Sequence, residues 1–324
     1  MNIDQSIQDV MLWKKEEMEG TRERIRIAIR ETKAHNLMKD LLLQNTNNGG
    51  KMLRPLLMFM AAEDYKESMK EELLWGAAAG EMVHTASLYL DDIIDDAPLR
   101  RGEPSVYAKH GVSAAICAGT FLMSTAYSCL LERGFTNTAS DLLHVTQLVC
   151  DGELLQDMNR FNTDVSEEIY IQSIQGKTAV VFSFCAEVAS RISGHDEKTQ
   201  KLMKDFGLCV GTIFQLRDDI LDWTKTEKEL GKPACEDFTN GIYTLPAIFA
   251  FRQKEYGEEL LALTKKTLTT EELEKAKDLV IRAGGIEYAK KAIKKEAKKA
   301  AELLDQLPSN PYTDVCRMII NSLT

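Results

Sequence analysis

Six aspartates occur as two copies of one spacing: Asp91, Asp92 and Asp95 in YLDDIIDD, and Asp218, Asp219 and Asp222 in FQLRDDILDW. On an α-helix, positions i and i+4 share a face, so Asp91 pairs with Asp95 and Asp218 with Asp222. Like charges at that spacing destabilise a helix by about 0.2–0.5 kcal/mol per pair. Both clusters also close long apolar helical windows, where the helix dipole already places partial negative charge. A bound cation removes both penalties. All-oxygen carboxylate ligation suits Mg²⁺, which keeps waters and bridges protein carboxylates to substrate phosphates. One such cluster reads equally well as a solvated helix end; two on comparable helices favour a metal.

Metal-bound phosphates also need protein cations. Lys51 and Arg54 lie in GGKMLRP, beside a glycine pair that lets the backbone approach an anion. Arg100 and Arg101 follow the first acidic cluster in LRRGEP, Lys177 and Thr178 stand in QGKTAVV, and Lys232 in LGKP. Arginine forks and lysine point charges are the usual phosphate ligands. Taken singly, each is better explained as a surface charge than as a ligand. No stretch matches G-x-x-x-x-G-K-[ST] or G-x-G-x-x-G, so a P-loop or dinucleotide fold finds no support. None of the five histidines stands in H-E-x-x-H.

The elements that must hold these residues are helical. Apolar residues recur at three-to-four spacing through 5–35, 70–96, 111–133, 139–160, 166–192, 198–224 and 271–304, and no run alternates as a half-buried strand would. The spacing predicts an all-α chain. Thr269 followed by Glu272 predicts a capping box at the start of a helix. Breakers fall at NTNNGG, APLRRGEP, LGKPACEDFTNG and LPSNPY, and no linker or repeat divides the 324 residues, so one domain over 1–324 is the simplest reading. A net charge of −10 argues against nucleic acid as a partner. Seven scattered cysteines without a C-x-x-C pair argue against a disulfide framework or a zinc site. With no signal-peptide core at the start, the expected location is cytoplasmic. The uncharged stretch 111–131 is long enough to span a bilayer. Its serines and threonines lie on every face, so it is expected to be a core helix rather than a transmembrane segment. Lys290, Lys291, Lys294, Lys295, Lys298 and Lys299 read as the solvated face of an amphipathic helix.

In order along residues 45–250, these motifs resemble the trans-isoprenyl diphosphate synthases, or polyprenyl synthetases, and most of all the medium- and long-chain, heptaprenyl-type members. They are G-G-K-x-x-R-P at 49–55, H-T-x-S-L-x-x-D-D-x-x-D at 84–95, R-R-G-x-P at 100–104, G-K-T at 176–178, F-Q-x-x-D-D-x-L-D at 214–222, G-K-P at 231–233 and T-L-P at 244–246. The resemblance implies the isoprenoid synthase fold, a bundle of about a dozen helices around a deep central cavity. It implies isopentenyl diphosphate held by Lys51, Arg54, His84 and Arg101, and an allylic diphosphate held by Arg100, Lys177 and Lys232. Asp91, Asp95 and Asp218 would bind Mg²⁺, with Asp92, Asp219 and Asp222 close by. Thr178 and Gln215 would join Lys177 as catalytic residues, facing the developing carbocation. The implied assembly is a homodimer, with a small regulatory subunit in a heterodimer as the alternative.

Product length is expected from the face running back from Asp91. Ala86 and Ser87 are small where short-chain relatives often carry bulky aromatics, and Val83, Ala79, Gly80 and Gly76 continue the run over about 22 Å. That is room for a chain of about C30–C40 at 4–5 Å per isoprene unit; a farnesyl- or geranylgeranyl-length product is the alternative. Met52, Thr120, Ile242 and Glu153 depart from the common pattern, and Glu153, in GELLQ, looks like the long-chain form. A terpene cyclase is the nearest rival. It lacks an isopentenyl site and usually carries an N-S-E or D-T-E second motif.

Overall fold

The computed structural model describes residues 12–46, 52–62, 65–100, 102–226, 234–264 and 267–323. In chain order the helices are α1 (Lys15–Glu31), α2 (Asn36–Thr46), α3 (Leu53–Ala61), α4 (Lys70–Ile94), α5 (Val106–His110), α6 (Val112–Leu131), α7 (Thr136–Met158), α8 (Glu167–Ile174), α9 (Val180–Ile192), α10 (Glu197–Thr224), α11 (Glu236–Thr239), α12 (Leu245–Phe251), α13 (Gly257–Leu261), α14 (Thr270–Arg282), α15 (Gly285–Leu304) and α16 (Pro311–Leu323). A π-helical turn, Gln175–Ala179, joins α8 to α9. The one ladder among the described residues pairs β1 (Leu99–Arg100) with β2 (Glu103–Pro104) between α4 and α5. The all-α expectation is met.

Local chemistry sets several of these starts. Ser166 Oγ accepts from the Ile169 N–H at 3.1 Å ahead of α8. Asp196 Oδ1 accepts from Thr199 N–H at 2.8 Å ahead of α10. The expected capping box opens α14: Glu272 N–H donates to Thr269 Oγ1 at 3.2 Å, and Thr269 N–H donates to Glu272 Oε2 at 2.9 Å. Caps of this kind are worth about 1 kcal/mol each.

Helix α10 runs through the middle, with α9 and α15 against it, while α4 lies along α6. One continuous apolar core runs from Met18 to Leu323, and Phe59, Phe182, Phe206 and Trp223 are fully enclosed in it. Both acidic clusters therefore end helices that the core fixes in place.

Two expectations are corrected. The window 271–304 is two helices, because Gly284 takes a left-handed φ of 83° between α14 and α15. Gly285 then lies so close to α12 that a Cβ on it would sit 2.3 Å from Pro246 O. Helix α6 is the other correction. It is long and apolar enough to cross a membrane, but only one face is buried, with Ala115, Ala118, Leu122 and Ala126 among the enclosed residues. Val112, Ile116 and Leu131 are about half exposed on its other side. The polar residues spread around this helix concealed a two-faced element.

Candidate active site

The last turn of α4 carries Asp91 and Asp92, with Asp95 as its C-terminal cap. Asp92 is 1% exposed and turned inward, and Arg100 grips its Oδ1 through Nε at 2.8 Å and through a second, shorter bond from the same guanidinium. Asp91 and Asp95 stay on the half-open face, Asp91 one turn below Ser87 and two below His84. Burial, then Glu153 and Asp95, push the Asp91 carboxyl from 3.8 up to about 7, against the pull of Lys177 and Arg100.

The second cluster ends α10. Asp218 is exposed, whereas Asp219 and Asp222 are each 2% exposed. Asp219 sits at the end of a hydrogen-bond chain. Thr178 Oγ1 donates to Gln215 Oε1 at 2.9 Å, Gln215 Nε2 donates to Asp219 Oδ1 at 2.8 Å, and the Tyr170 hydroxyl donates to Asp219 Oδ2 at 2.5 Å. Burial and the neighbouring Asp237 nevertheless push Asp219 from 3.8 up to about 8.

The π-helical turn brings Lys177 to this site. Such turns concentrate where a side chain has to be re-aimed for function. Gly152 on α7 and Gly176 in the turn touch backbone to backbone: a Cβ on Gly152 would lie 2.3 Å from Lys177 N and 2.6 Å from Gly176 C. That approach lets Lys177 Nζ reach Glu153 Oε2 at 2.8 Å. Burial alone would lower the lysine's pKa, but Asp91, Glu153 and Asp95 outweigh it and hold the ammonium above its ordinary range.

A cleft enclosing about 610 Å³ of space, its open mouth included, collects Asp95, Lys177, Gln215 and Asp219 with Tyr170, Asp237 and Tyr243. Residues from both acidic helices and the G-K-T turn thus line one space. Arg54 is 8% exposed and lies over the Phe182 ring at 4.7 Å, near Glu81 and Cys185. Lys51, Arg101 and Lys232 lie outside the described residues. The expected product groove is not open along α4. Val83 and Ala86 are 1% and 0% exposed, Ala86 lies against Gly119 of α6, and Gly80 lies against Phe184. Ser87 alone of the three chain-length candidates stays partly open.

Sequence reasoning missed Arg160, Tyr170 and Asp237. Tyr170 is 49 positions from its partner Asp219, and no local pattern announces it. Arg160, in MNRFN, closes the 139–160 window just past the end of α7, and only its contact with Asp95 reveals it.

The donor set fits a divalent cation. Burial keeps charge disfavoured on Asp91 even beside Lys177 and Arg100, and on Asp219 beside Asp237, and Asp95 Oδ2 takes no hydrogen bond from the described residues. No three His, Cys, Asp or Glu side chains among the described residues form a closed cage. An ion that completes its shell with water and substrate phosphate needs none. A stability test follows from the sign of the shifts. Both carboxyls bind protons more tightly in the folded chain, so folding is favoured at low pH, and that contribution is lost as pH rises from about 4 through about 7–8. Chelated protein is expected to melt higher at about pH 5 than at about pH 8. Asp91→Asn with Asp219→Asn should flatten that slope relative to wild type in calorimetric scans, and an unchanged slope would contradict these environments.

The comparisons with known proteins agree with this geometry. The family model described as polyprenyl synthetase matches residues 35–280. Heptaprenyl diphosphate synthase component 2 of Geobacillus stearothermophilus is 33% identical over 83% of this chain and 83% of its own. Geranylgeranyl diphosphate synthase of Sulfolobus acidocaldarius is 34% identical over 81% of this chain and 82% of its own. Among solved structures, a polyprenyl synthase from Caulobacter crescentus, complexed with calcium and isoprenyl diphosphate, superposes with a TM-score of 0.89 at 27% identity, covering 98% of this chain and 97% of that one. With the motifs in order and the same fold over nearly the whole length, this chain belongs to the polyprenyl synthetase family.

Proposed function

We propose that this chain condenses isopentenyl diphosphate with an allylic diphosphate, with Mg²⁺, to make an all-trans polyprenyl diphosphate longer than geranylgeranyl, at about C30–C40. It is a prenyltransferase of the trans-prenyl diphosphate synthase kind. The observation that carries the reading is the cleft that gathers Asp95 from α4, Gln215 and Asp219 from α10, and Lys177 from the π-helical turn.

Asp91, Asp95 and Asp218 would hold the ions. Asp92 and Asp219 already accept from Arg100, and from Gln215 and Tyr170, which supports a place behind the ions for them, as for the buried Asp222. When bound, the divalent ions stabilise the negative charge that develops on the departing diphosphate. Lys177, Arg100 and Lys232 hold the allylic diphosphate, and Lys51, Arg54, His84 and Arg101 hold isopentenyl diphosphate. The allylic C–O bond breaks and diphosphate leaves with the electron pair. The isopentenyl double bond attacks the allylic carbon, a C–C bond forms, and the released diphosphate takes the proton. Thr178 and Gln215, bonded to each other, present fixed dipoles to the cation without reorganising. No side-chain nucleophile is needed.

The undivided core supports one domain over residues 1–324. Large apolar side chains, Val112 and Ile116 on α6 and Leu143, Leu148 and Leu154 on α7, are exposed, which supports pairing with another chain as a homodimer. The component-2 name of the Geobacillus relative favours a small partner subunit as the second reading. A cytoplasmic location accords with both.

Each short allylic primer incubated with isopentenyl diphosphate and Mg²⁺ tests the length, once products are separated by size. Products of about C30–C40 are expected; products stopping at geranylgeranyl would contradict the length. Ser87→Phe should shorten the chain, because a ring at that open position obstructs the path beside Asp91. Ala86→Phe is the poorer probe, since it overfills the contact with α6.

A further inference from the structure

Arg160 belongs to none of the motifs, yet its guanidinium joins three segments of the site. Its Nη2 donates to Asp95 Oδ1 at 2.6 Å, its Nε donates to Asp157 Oδ1 at 2.6 Å, and its Nη1 donates to Asn240 O at 3.2 Å. The side chain is 18% exposed and that of Asp95 is 22% exposed, so the pair is largely removed from solvent. The backbone reinforces the joint. Phe161 N–H donates to Gly241 O at 2.8 Å, with Phe161 at a left-handed φ of 58°. Gly241, at φ 75°, lies so close to the Phe161 ring that a Cβ would sit 2.7 Å from it. The loop gripped in this way leads directly into Ile242, Tyr243 and Thr244, which line the same cleft as Asp95.

Among the described residues only one oxygen of Asp95 accepts a hydrogen bond, the one Arg160 holds, and Asp95 lines the cleft. We infer that Arg160 is a positioning residue for the reaction. It fixes the Asp95 carboxylate so that Oδ2 faces the metal position, and it sets the distance between the α4 cluster and the 240–244 wall. This inference rests on the metal reading above. A planar fork with several donors in fixed directions can serve Asp95, Asp157 and a carbonyl at once, whereas a lysine ammonium cannot hold all three. Groups that orient a metal ligand in this manner typically change metal affinity about 10–100-fold when removed.

The test is Mn²⁺ binding read by electron paramagnetic resonance, with inorganic diphosphate present and no turnover. Arg160→Met is expected to weaken Mn²⁺ binding about 10–100-fold and Arg160→Lys by less. Asp157→Asn, which leaves the Asp95 contact in place, should stay within about threefold of wild type, well short of that loss. Steady-state kinetics should show KM rising for the allylic diphosphate and holding for isopentenyl diphosphate. If the methionine variant does not fold, the lysine variant carries the test alone. Equal Mn²⁺ affinity in wild type and the Arg160 variants would overturn this inference and leave the metal reading standing. A wild-type chain that bound no Mn²⁺ would overturn both. Equal losses for both substrates would reduce Arg160 to a structural clamp.

Discussion

Asp91→Ala and Asp218→Ala are each expected to lower turnover by several orders of magnitude while the chain stays helical and folded. Stabilising the charge on a departing diphosphate through a bound ion is worth several kcal/mol in the transition state, and each 1.36 kcal/mol is about tenfold in rate. The fold does not depend on either carboxylate. Asp91 lies in the last turn of α4 with its charge already disfavoured by burial and by Glu153 and Asp95, and Asp218 is exposed on α10. Removing Asp91 therefore relieves repulsion rather than packing. The metal-free Asp91→Ala protein should melt no lower than metal-free wild type. Circular dichroism and single-turnover kinetics on the same preparations check both halves, and near-normal turnover in either variant would refute the metal assignment.

Gly152→Ala carries the second large effect, from one added methyl group. Its Cβ would lie 2.3 Å from Lys177 N and 2.7 Å from Gly176 Cα, and those are backbone atoms that no rotamer change can move. Helix α7 and the π-helical turn must separate. Overpacking of this kind costs about 1–3 kcal/mol, and the melting temperature should fall by several degrees. Turnover should fall much further than stability, because Lys177 is displaced from Glu153 and from the Asp91–Asp95 face; a 1 Å misplacement can cost about a hundredfold. Gly80→Ala on α4 is the matched control. Its Cβ would meet Phe184 at 3.5 Å, an ordinary contact, and alanine favours a helix interior over glycine by about 1 kcal/mol. That variant should fold and turn over normally, and equal losses in both would contradict the close-approach account.

The two aspartate clusters were legible because a helix makes i,i+4 proximity a local property, and a repeated local penalty points to a ligand. The long amphipathic helices and the Thr269 cap were legible for the same reason. What the sequence hid depends on contacts between distant segments. The Tyr170–Asp219 bond, the Arg160–Asp95 bond and the Gly152–Gly176 contact each link separate segments, and nothing beside either partner announces the other. Small residues were ambiguous for a related reason. Ala79, Val83 and Ala86 are equally compatible with an open groove and with close helix packing, and here they are packed. The 271–304 window misled because apolar periodicity continues across Gly284, while the break is made by its left-handed backbone and the contact of Gly285 with Pro246.

The reaction itself gives the most direct measurement. Purified chain is mixed with an allylic diphosphate, labelled isopentenyl diphosphate and Mg²⁺, and released diphosphate is counted against label incorporated into prenyl product. One diphosphate released for each isopentenyl unit added, abolished by EDTA and restored by excess Mg²⁺, is the predicted result. Diphosphate released without chain extension, or extension that continues at full rate under EDTA, would contradict the account.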